Sequence, residues 1–442
     1  MKQTEDINRK QSVLASTARD PGPLYPREQP LESSDFAVAL DASVMRGDMD
    51  AGLALQVYLP FCTTRCVSCD RVAEVASDLA VIDHYLDALS KEMDLLGARI
   101  GRGRTLSQLH IGGGTPSLLS GTQLARLTQM LDRNFAVDAS TETVFEINPD
   151  RTSLTQMELI RGLGYKNIRI ELRELDPESQ QGLGRSYSPE LIADVMSNAR
   201  SIGFDGVTLD LLYGLPGQSV TTLRDSLRLV AELSPSRIFL RWFTRNEQRH
   251  EHQRVIDPES LPTVAEKMAM FLAATDQMEA SGYEWVGING FVKPGDPLAV
   301  AQSEGRLLRN RLGYTDRAAS TLLGVGLGAV SELTNLQSRN HQQLDRWHGS
   351  LQDGRHPVMA GATLTQREVS QRRLLHKLSQ CLEVDAEEFQ DEQHREMLER
   401  LVKDGLVIAG STSVTVTPAG RVKFMKLLDP ASGDFKVANQ AQ

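Results

Sequence analysis

The chain has 442 residues, of which 40% are hydrophobic and 24% charged, with a formal net charge of −10 at pH 7. That composition supports a packed core, and the length suits a large barrel-like unit with a smaller companion. An acidic balance with no basic stripe speaks against general nucleic-acid binding, no uncharged run is long enough to span a bilayer, and four cysteines in the whole chain are too few for a disulfide framework.

The polar, mixed-charge stretch Met1 to Arg27 has no apolar core of the kind a signal peptide needs, so residence in the cytoplasm is expected. Residues 1–50 read as an N-terminal extension. Leu53 to Leu59 then predicts a buried strand, ended by Pro60-Phe61 and followed by the run Cys62-x-x-x-Cys66-x-x-Cys69. Three thiolates on one short loop can hold three irons of a [4Fe-4S] cluster and leave the fourth iron open, as a reaction site rather than a mere electron carrier. Zinc would want a fourth Cys or His close by, yet the next histidine is His84 and the remaining cysteine is Cys381, a residue of an amphipathic helix best read as packing. The bland alternative is a chance cluster of buried thiols.

Leu106 to Ile111 predicts a second strand running into Gly112-Gly113-Gly114-Thr115-Pro116. Glycines there let backbone amides approach a ligand closely, and Pro116 stops the strand. A triple glycine alone is as consistent with a tight turn as with a ligand cradle. Helical spacing follows over Gly121 to Phe135, and strand-like runs recur at Thr143 to Ile147, Asn167 to Leu172, Gly206 to Leu212, Arg237 to Trp242 and Tyr283 to Ile288. Between them lie helical patterns at Leu154 to Leu163, Pro189 to Ile202, Val220 to Leu233 and Thr263 to Met278. This alternation predicts parallel βα units wound into a partial or full (β/α) barrel over residues 51–290, with chemistry at the strand ends. Glu146 and Asp210 sit inside apolar strand runs, where each carboxylate needs a partner or a ligand. Arg173, Arg185 and Arg241 either grip a carboxylate at the barrel rim or form surface ion pairs of little worth.

Residues 291–360 are expected to close the active site. Over 361–430 the pattern changes: Gln371 to Leu382 and Gln393 to Asp404 read as amphipathic helices, followed by a hairpin through Ser413 to Thr417 and a helix from Pro418 to Leu428. This is a winged-helix-like α+β arrangement, and residues 431–442 read as a flexible tail. Its acidic cluster, Glu387, Glu388, Asp391, Glu392, Glu396 and Glu399, opposes phosphate, so packing against the barrel is expected rather than DNA binding.

The cysteine run paired with the glycine-rich strand end resembles the radical S-adenosylmethionine superfamily. Across nearly its whole length the chain is similar to the oxygen-independent coproporphyrinogen III oxidase (dehydrogenase) family, through Leu-Pro-Phe-Cys (59–62), Leu-His-Ile-Gly-Gly-Gly-Thr-Pro (109–116), Asp-Leu-Leu-Tyr-Gly-Leu-Pro (210–216), Leu-Ala-Val-Ala-Gln-Ser-Glu-Gly (298–305), Gly-Tyr-Thr (313–315) and Leu-Leu-Gly-Val-Gly-Leu-Gly-Ala-Val-Ser (322–331). The resemblance implies an α/β fold of radical SAM type, a [4Fe-4S] cluster on Cys62, Cys66 and Cys69, and an S-adenosyl-L-methionine site lined by Gly113, Gly114, Thr115, Glu146, Arg185, Asp210 and Val330. It also implies a 5′-deoxyadenosyl radical that starts oxidative decarboxylation of coproporphyrinogen III to protoporphyrinogen IX in heme biosynthesis. The expected partners are a tetrapyrrole substrate and an electron donor such as flavodoxin or ferredoxin, for a monomer without nucleic acid.

The chain departs from the family pattern at several points. Gln56 stands for a tyrosine that contacts the first cofactor, Arg71 for a fourth cysteine and Arg173 for a glutamine. Arg311-Leu312 stands for a Phe-Gln pair at a second cofactor site, and Leu24-Tyr25-Pro26 for a longer N-terminal element. A paralogue that binds or delivers heme without turnover, or a radical enzyme acting on another tetrapyrrole, is the alternative these departures raise.

Overall fold

The strand that carries the cysteine loop, β1 (Leu53–Leu59), is fully buried on one face, half-buried at Gln56 and Tyr58 on the other, and lies in the middle of a large sheet. The computed structural model describes residues 28–75, 80–180 and 183–427; Leu24-Tyr25-Pro26 and the expected tail at 431–442 lie outside them. From β1 the sheet runs in chain order through β2 (Gln108–Gly113), β3 (Glu142–Ile147), β4 (Asn167–Arg173), β5 (Gly206–Tyr213) and β6 (Arg237–Trp242), every neighbouring pair parallel. Helices including Gly121–Asn134, Leu154–Gly162, Pro189–Ile202 and Val220–Leu233 connect them, as the periodicity predicts. Their starts are set by serine N-caps: Ser120, Ser153, Ser188 and Ser219 each accept a first-turn backbone N–H.

Along these strands side chains alternate between two environments, as a pleated strand requires. Ile168, Ile170 and Leu172 of β4, with Val207, Leu209 and Leu211 of β5, join the apolar core under the helices. Arg169, Glu171 and Arg173 alternate with them and face the barrel interior, which is polar.

The strand expected at Tyr283 to Ile288 exists as β7 (Glu284–Val286), which runs in the same direction as β6 but does not pair with it. It forms an antiparallel hairpin with β8 (Gly290–Val292), and β8 pairs antiparallel with β6. The short link turns through Gly287 at φ +56°, and the Asn289 side chain donates to the Leu240 carbonyl (2.8 Å). Such a link is too short for a crossover. The parallel strand on the other side of β1 is β9 (Thr321–Val325), followed by antiparallel β10 (Val330–Glu332), β11 (Leu336–Asn340) and β12 (Val358–Thr363). The sheet thus has 13 strands, with Gln29–Pro30 at one edge and β7 at the other, and it is an open, partial barrel.

A hairpin of Leu308–Asn310 and Gly313–Thr315 covers the N-terminal ends of the parallel strands. Asn310 donates to Gln108 (2.7 Å), Thr315 Oγ1 donates to Glu142 (2.9 Å), and the Leu312 carbonyl accepts from Arg169 (2.9 Å). The helix Ser33–Met45 packs on the helix Ala80–Ile100, with Arg99 forked onto Asp41 (2.8–2.9 Å). At the C-terminus, helices Gln366–Cys381, Glu392–Lys403 and Pro418–Leu427 accompany a three-stranded sheet with Ser413–Val416 in its centre. That unit packs on the barrel: Tyr213 meets Met425 (3.6 Å), and Arg421 lies 3.5 Å over the Trp285 ring. No helix of the described residues is long and apolar enough to cross a membrane.

Candidate active site at the strand ends

Immediately after β1 the chain forms a loop from Phe61 to Val75, whose first residues Phe61–Cys62 pair in parallel with Glu74–Val75. Cys62, Cys66 and Cys69 are all buried and free. The loop is tied down on several sides: Val67 N–H donates to the Leu183 carbonyl (2.9 Å), His252 and Gln253 meet the Cys69 carbonyl (2.8 and 3.1 Å), and Thr115 Oγ1 donates to the Cys62 sulfur (3.6 Å). Burial pushes the Cys62 thiol up, and the Thr115 hydroxyl works against it. Among the described residues, no three His, Cys, Asp or Glu side chains are gathered closely enough to hold a single metal ion. Three thiolates are one ligand short of the four that a closed zinc site takes. Three buried, unpaired thiols on one loop fit a cubane cluster, whose thiolates bind different irons.

The glycine loop at the end of β2 lies against the cysteine loop. Gly114 N–H donates to the Leu59 carbonyl and Thr115 N–H to the Phe61 carbonyl, both at 2.7 Å. A side chain at Gly114 would put its Cβ 2.5 Å from the Phe61 oxygen, and Gly113 holds φ +117°. The glycines are therefore needed first to bring β2 against the segment that carries the cysteines. Gly112 serves a different purpose: its missing Cβ leaves room for the Glu146 carboxyl, which a methyl group there would meet at 2.8 Å.

Glu146, at the end of β3, has the partner its burial demands. Arg71 donates to it at 2.6 Å, His110 Nε2 lies 2.9 Å away, and the Gly113 N–H points to it at 3.3 Å. Burial alone would raise its pKa, but Arg71 and His110 outweigh burial and hold it at about 2. Arg71 also donates to the Gly113 carbonyl (2.7 Å) and pairs with Glu171 (2.5 Å). Glu171 is in turn met by Arg173 (3.2 Å) and Arg241 (3.4 Å), and Arg241 reaches Asp70 (3.2 Å). Burial opposes ionisation of Glu171, yet these arginines, Arg71 foremost, hold its carboxyl well below the usual range. The result is a continuous, partly buried charge network at the barrel mouth beside the cysteines.

Of the residues expected at the cofactor site, the structure brings Gly113, Gly114, Thr115 and Glu146 together next to Cys62. Asp210 lies deeper, bound by both arms of Arg169 (2.5 and 2.9 Å). Arg185 is half-buried, lies 5.9 Å from the Tyr187 ring and has no ion-pair partner among the described residues. Val330 is buried on β10, on the other side of β1 from the glycine loop. Arg311 pairs with Glu332 (3.8 Å) and, with Leu312, lies in the hairpin at the opposite mouth of the barrel. The sequence reading missed the hub formed by Arg71 and Glu171, and also Arg169 and His110. The period-two run Arg169, Glu171, Arg173 was the available signal: three charges on one strand face inside a barrel must pair with one another or with a ligand.

Comparison with known proteins agrees with this architecture. Residues 57–230 match the Radical SAM superfamily. The oxygen-independent coproporphyrinogen III oxidase of Escherichia coli (strain K12) is 31% identical over 400 residues, covering 88% of this chain and 87% of that protein. The enzyme of the same name from Pseudomonas aeruginosa is 30% identical over 392 residues, covering 86% and 85%. The solved structure of the Escherichia coli coproporphyrinogen III oxidase, described as a radical SAM enzyme, superposes with a TM-score of 0.84 at 28% identity, covering 94% of this chain and 97% of that one. With similarity running through the barrel and both flanking parts, the chain belongs to the oxygen-independent coproporphyrinogen III oxidase family of the radical SAM superfamily.

Proposed function

We propose that this protein carries out the oxygen-independent oxidative decarboxylation of coproporphyrinogen III to protoporphyrinogen IX. The observation that carries this reading is the lacing of the three-cysteine loop to the glycine loop at the mouth of a polar barrel, in a chain of this family. When bound, a [4Fe-4S] cluster and S-adenosyl-L-methionine supply one-electron reduction and a 5′-deoxyadenosyl radical, chemistry that no side chain provides.

The chain's own residues hold and shield these groups. Cys62, Cys66 and Cys69 donate three thiolates, which must be deprotonated to serve as ligands. Gly113, Gly114 and Thr115 fix the neighbouring backbone. Glu146 offers a carboxylate to a cofactor ammonium, for which Arg71 is the present stand-in, while Arg185 is placed to meet a carboxylate. Asp210 supports the site from below through Arg169, and Val330 lines the flank across β1. Leu183, Leu212 and Leu215 form one small apolar cluster against which Val67 of the cysteine loop packs, which keeps water from that side of the loop. The external partners in this reading are a low-potential one-electron donor of the flavodoxin or ferredoxin class and the tetrapyrrole substrate, for a monomer working in the cytoplasm.

Expression in anaerobically grown bacteria that lack their own oxygen-independent enzyme tests the reading in cells. Heme formation should recover and coproporphyrin excretion should fall. Continued excretion despite cluster-loaded protein would contradict it.

A further inference from the structure

Arg173 is the least explained residue of the charge network. Its side chain is buried, only 7% exposed, and its Nε–H has no hydrogen-bond partner among the described residues. Its backbone is held at φ +69°, where the β4–β5 register slips by one residue, a conformation that residues with side chains rarely adopt. A strained backbone and an orphaned buried donor are both costly features that persist where function retains them. The guanidinium is also tied to the cysteine loop: Nη1 donates to Ser68 Oγ (2.5 Å), between Cys66 and Cys69, and the sulfurs of those two cysteines act on it electrostatically. Pairing with Glu171 is not its whole role, because Glu171 already has Arg71 at 2.5 Å and Arg241 at 3.4 Å.

We propose that Arg173 is a fixed cation of the cysteine loop that raises the reduction potential of the [4Fe-4S] cluster held by Cys62, Cys66 and Cys69. The inference rests on the cluster reading above. Reduction adds one electron from an external low-potential donor and breaks no bond, so the cluster with its thiolates gains one negative charge. A buried positive charge alongside stabilises that reduced form more than the oxidised one, and low local polarity strengthens the effect. Arg173 is thus a positioning and tuning residue, and its substitution should alter the driving force for reduction before it alters substrate binding.

The test is a redox titration of anaerobically reconstituted protein followed by electron paramagnetic resonance, with iron and sulfide content measured in parallel. Arg173→Gln removes the charge at similar reach and should move the midpoint to more negative potential, while Arg173→Lys should stay nearer the wild type. If Arg173→Gln does not load a cluster, Glu171→Gln carries the test: with less opposing charge on Arg173, the midpoint should rise. A fully loaded Arg173→Gln protein with an unchanged or higher midpoint, or an unchanged or lower one for Glu171→Gln, overturns the proposal. A wild-type chain that binds no cluster would overturn the underlying reading as well, and the iron content distinguishes the two failures.

Discussion

Arg71 occupies the position where the family pattern has a fourth cysteine, and the structure gives it work that a thiol could not do. It joins Glu146, Glu171 and the Gly113 carbonyl in one set of contacts. Arg71→Ala would leave two buried carboxylates facing each other without their shared cation. Breaking a buried pair in this way costs about 3 kcal/mol, which chemical denaturation at pH 7 should reveal. The pH dependence follows from the depressed pKa of Glu146. A carboxyl held at about 2 when folded, against 4.5 as its ordinary value, contributes stability above pH 4.5 that is lost as pH falls toward 2. The wild type should therefore lose stability across that window, and Arg71→Ala should lose less, since it has already lost the pairing. At this scale the sequence was partly legible. Residue type and spacing single out the cysteines, the glycines and Glu146, which the structure brings together, whereas Arg71 reads only as a missing cysteine, because its partners come from strands 75 and 100 residues away.

Among the elements, the parallel strands and their helices were readable because each has its own period and its own cap. Strand order was not readable: β7 runs in the direction the alternation predicts, and only the glycine turn after it lets β8 fold back and take the place beside β6. Nor was β9, which is not among the strand-like runs of the sequence; Gly324 is there because a Cβ would meet the Val330 backbone at 2.4 Å. The same close approach makes Gly114→Ala a specific test of the lacing between β2 and the cysteine loop. The added methyl should displace Phe61 and Cys62, costing about 1–3 kcal/mol as overpacking does, and should lower iron incorporation on reconstitution.

The helix Ala80–Ile100 supplies a second titrating element. Its Glu92 is buried and accepts from Gly326 N–H (2.9 Å), Asn340 Nδ2 (2.6 Å) and Trp347 Nε1 (3.0 Å), so it ties that helix to β11 and the helix Leu344–Gln352. Burial pushes its carboxyl up to about 8 despite these donors. With the folded pKa above the unfolded 4.5, its contribution is fully present below pH 4.5 and is lost as pH rises toward 8. Thermal unfolding of the wild type should fall over that range, and in Glu92→Gln this part of the slope should disappear.

For the molecule as a whole, the barrel is a polar column with two different ends. One end is closed by the hairpin of residues 308–315, which satisfies Gln108, Glu142 and Arg169. The other carries the cysteine loop, the glycine loop and the arginine–carboxylate network. Length and composition indicated a packed fold of this size, and alternation gave the barrel. The column's pairing was hidden because it is made between strands, not along them. The account's central claim is that this mouth performs radical decarboxylation of a porphyrinogen. The most direct measurement supplies anaerobically reconstituted, dithionite-reduced protein with S-adenosyl-L-methionine and coproporphyrinogen III and identifies products by mass spectrometry. The account predicts protoporphyrinogen IX together with 5′-deoxyadenosine, and neither product from Cys66→Ala. Intact cluster with no decarboxylated porphyrinogen would contradict it.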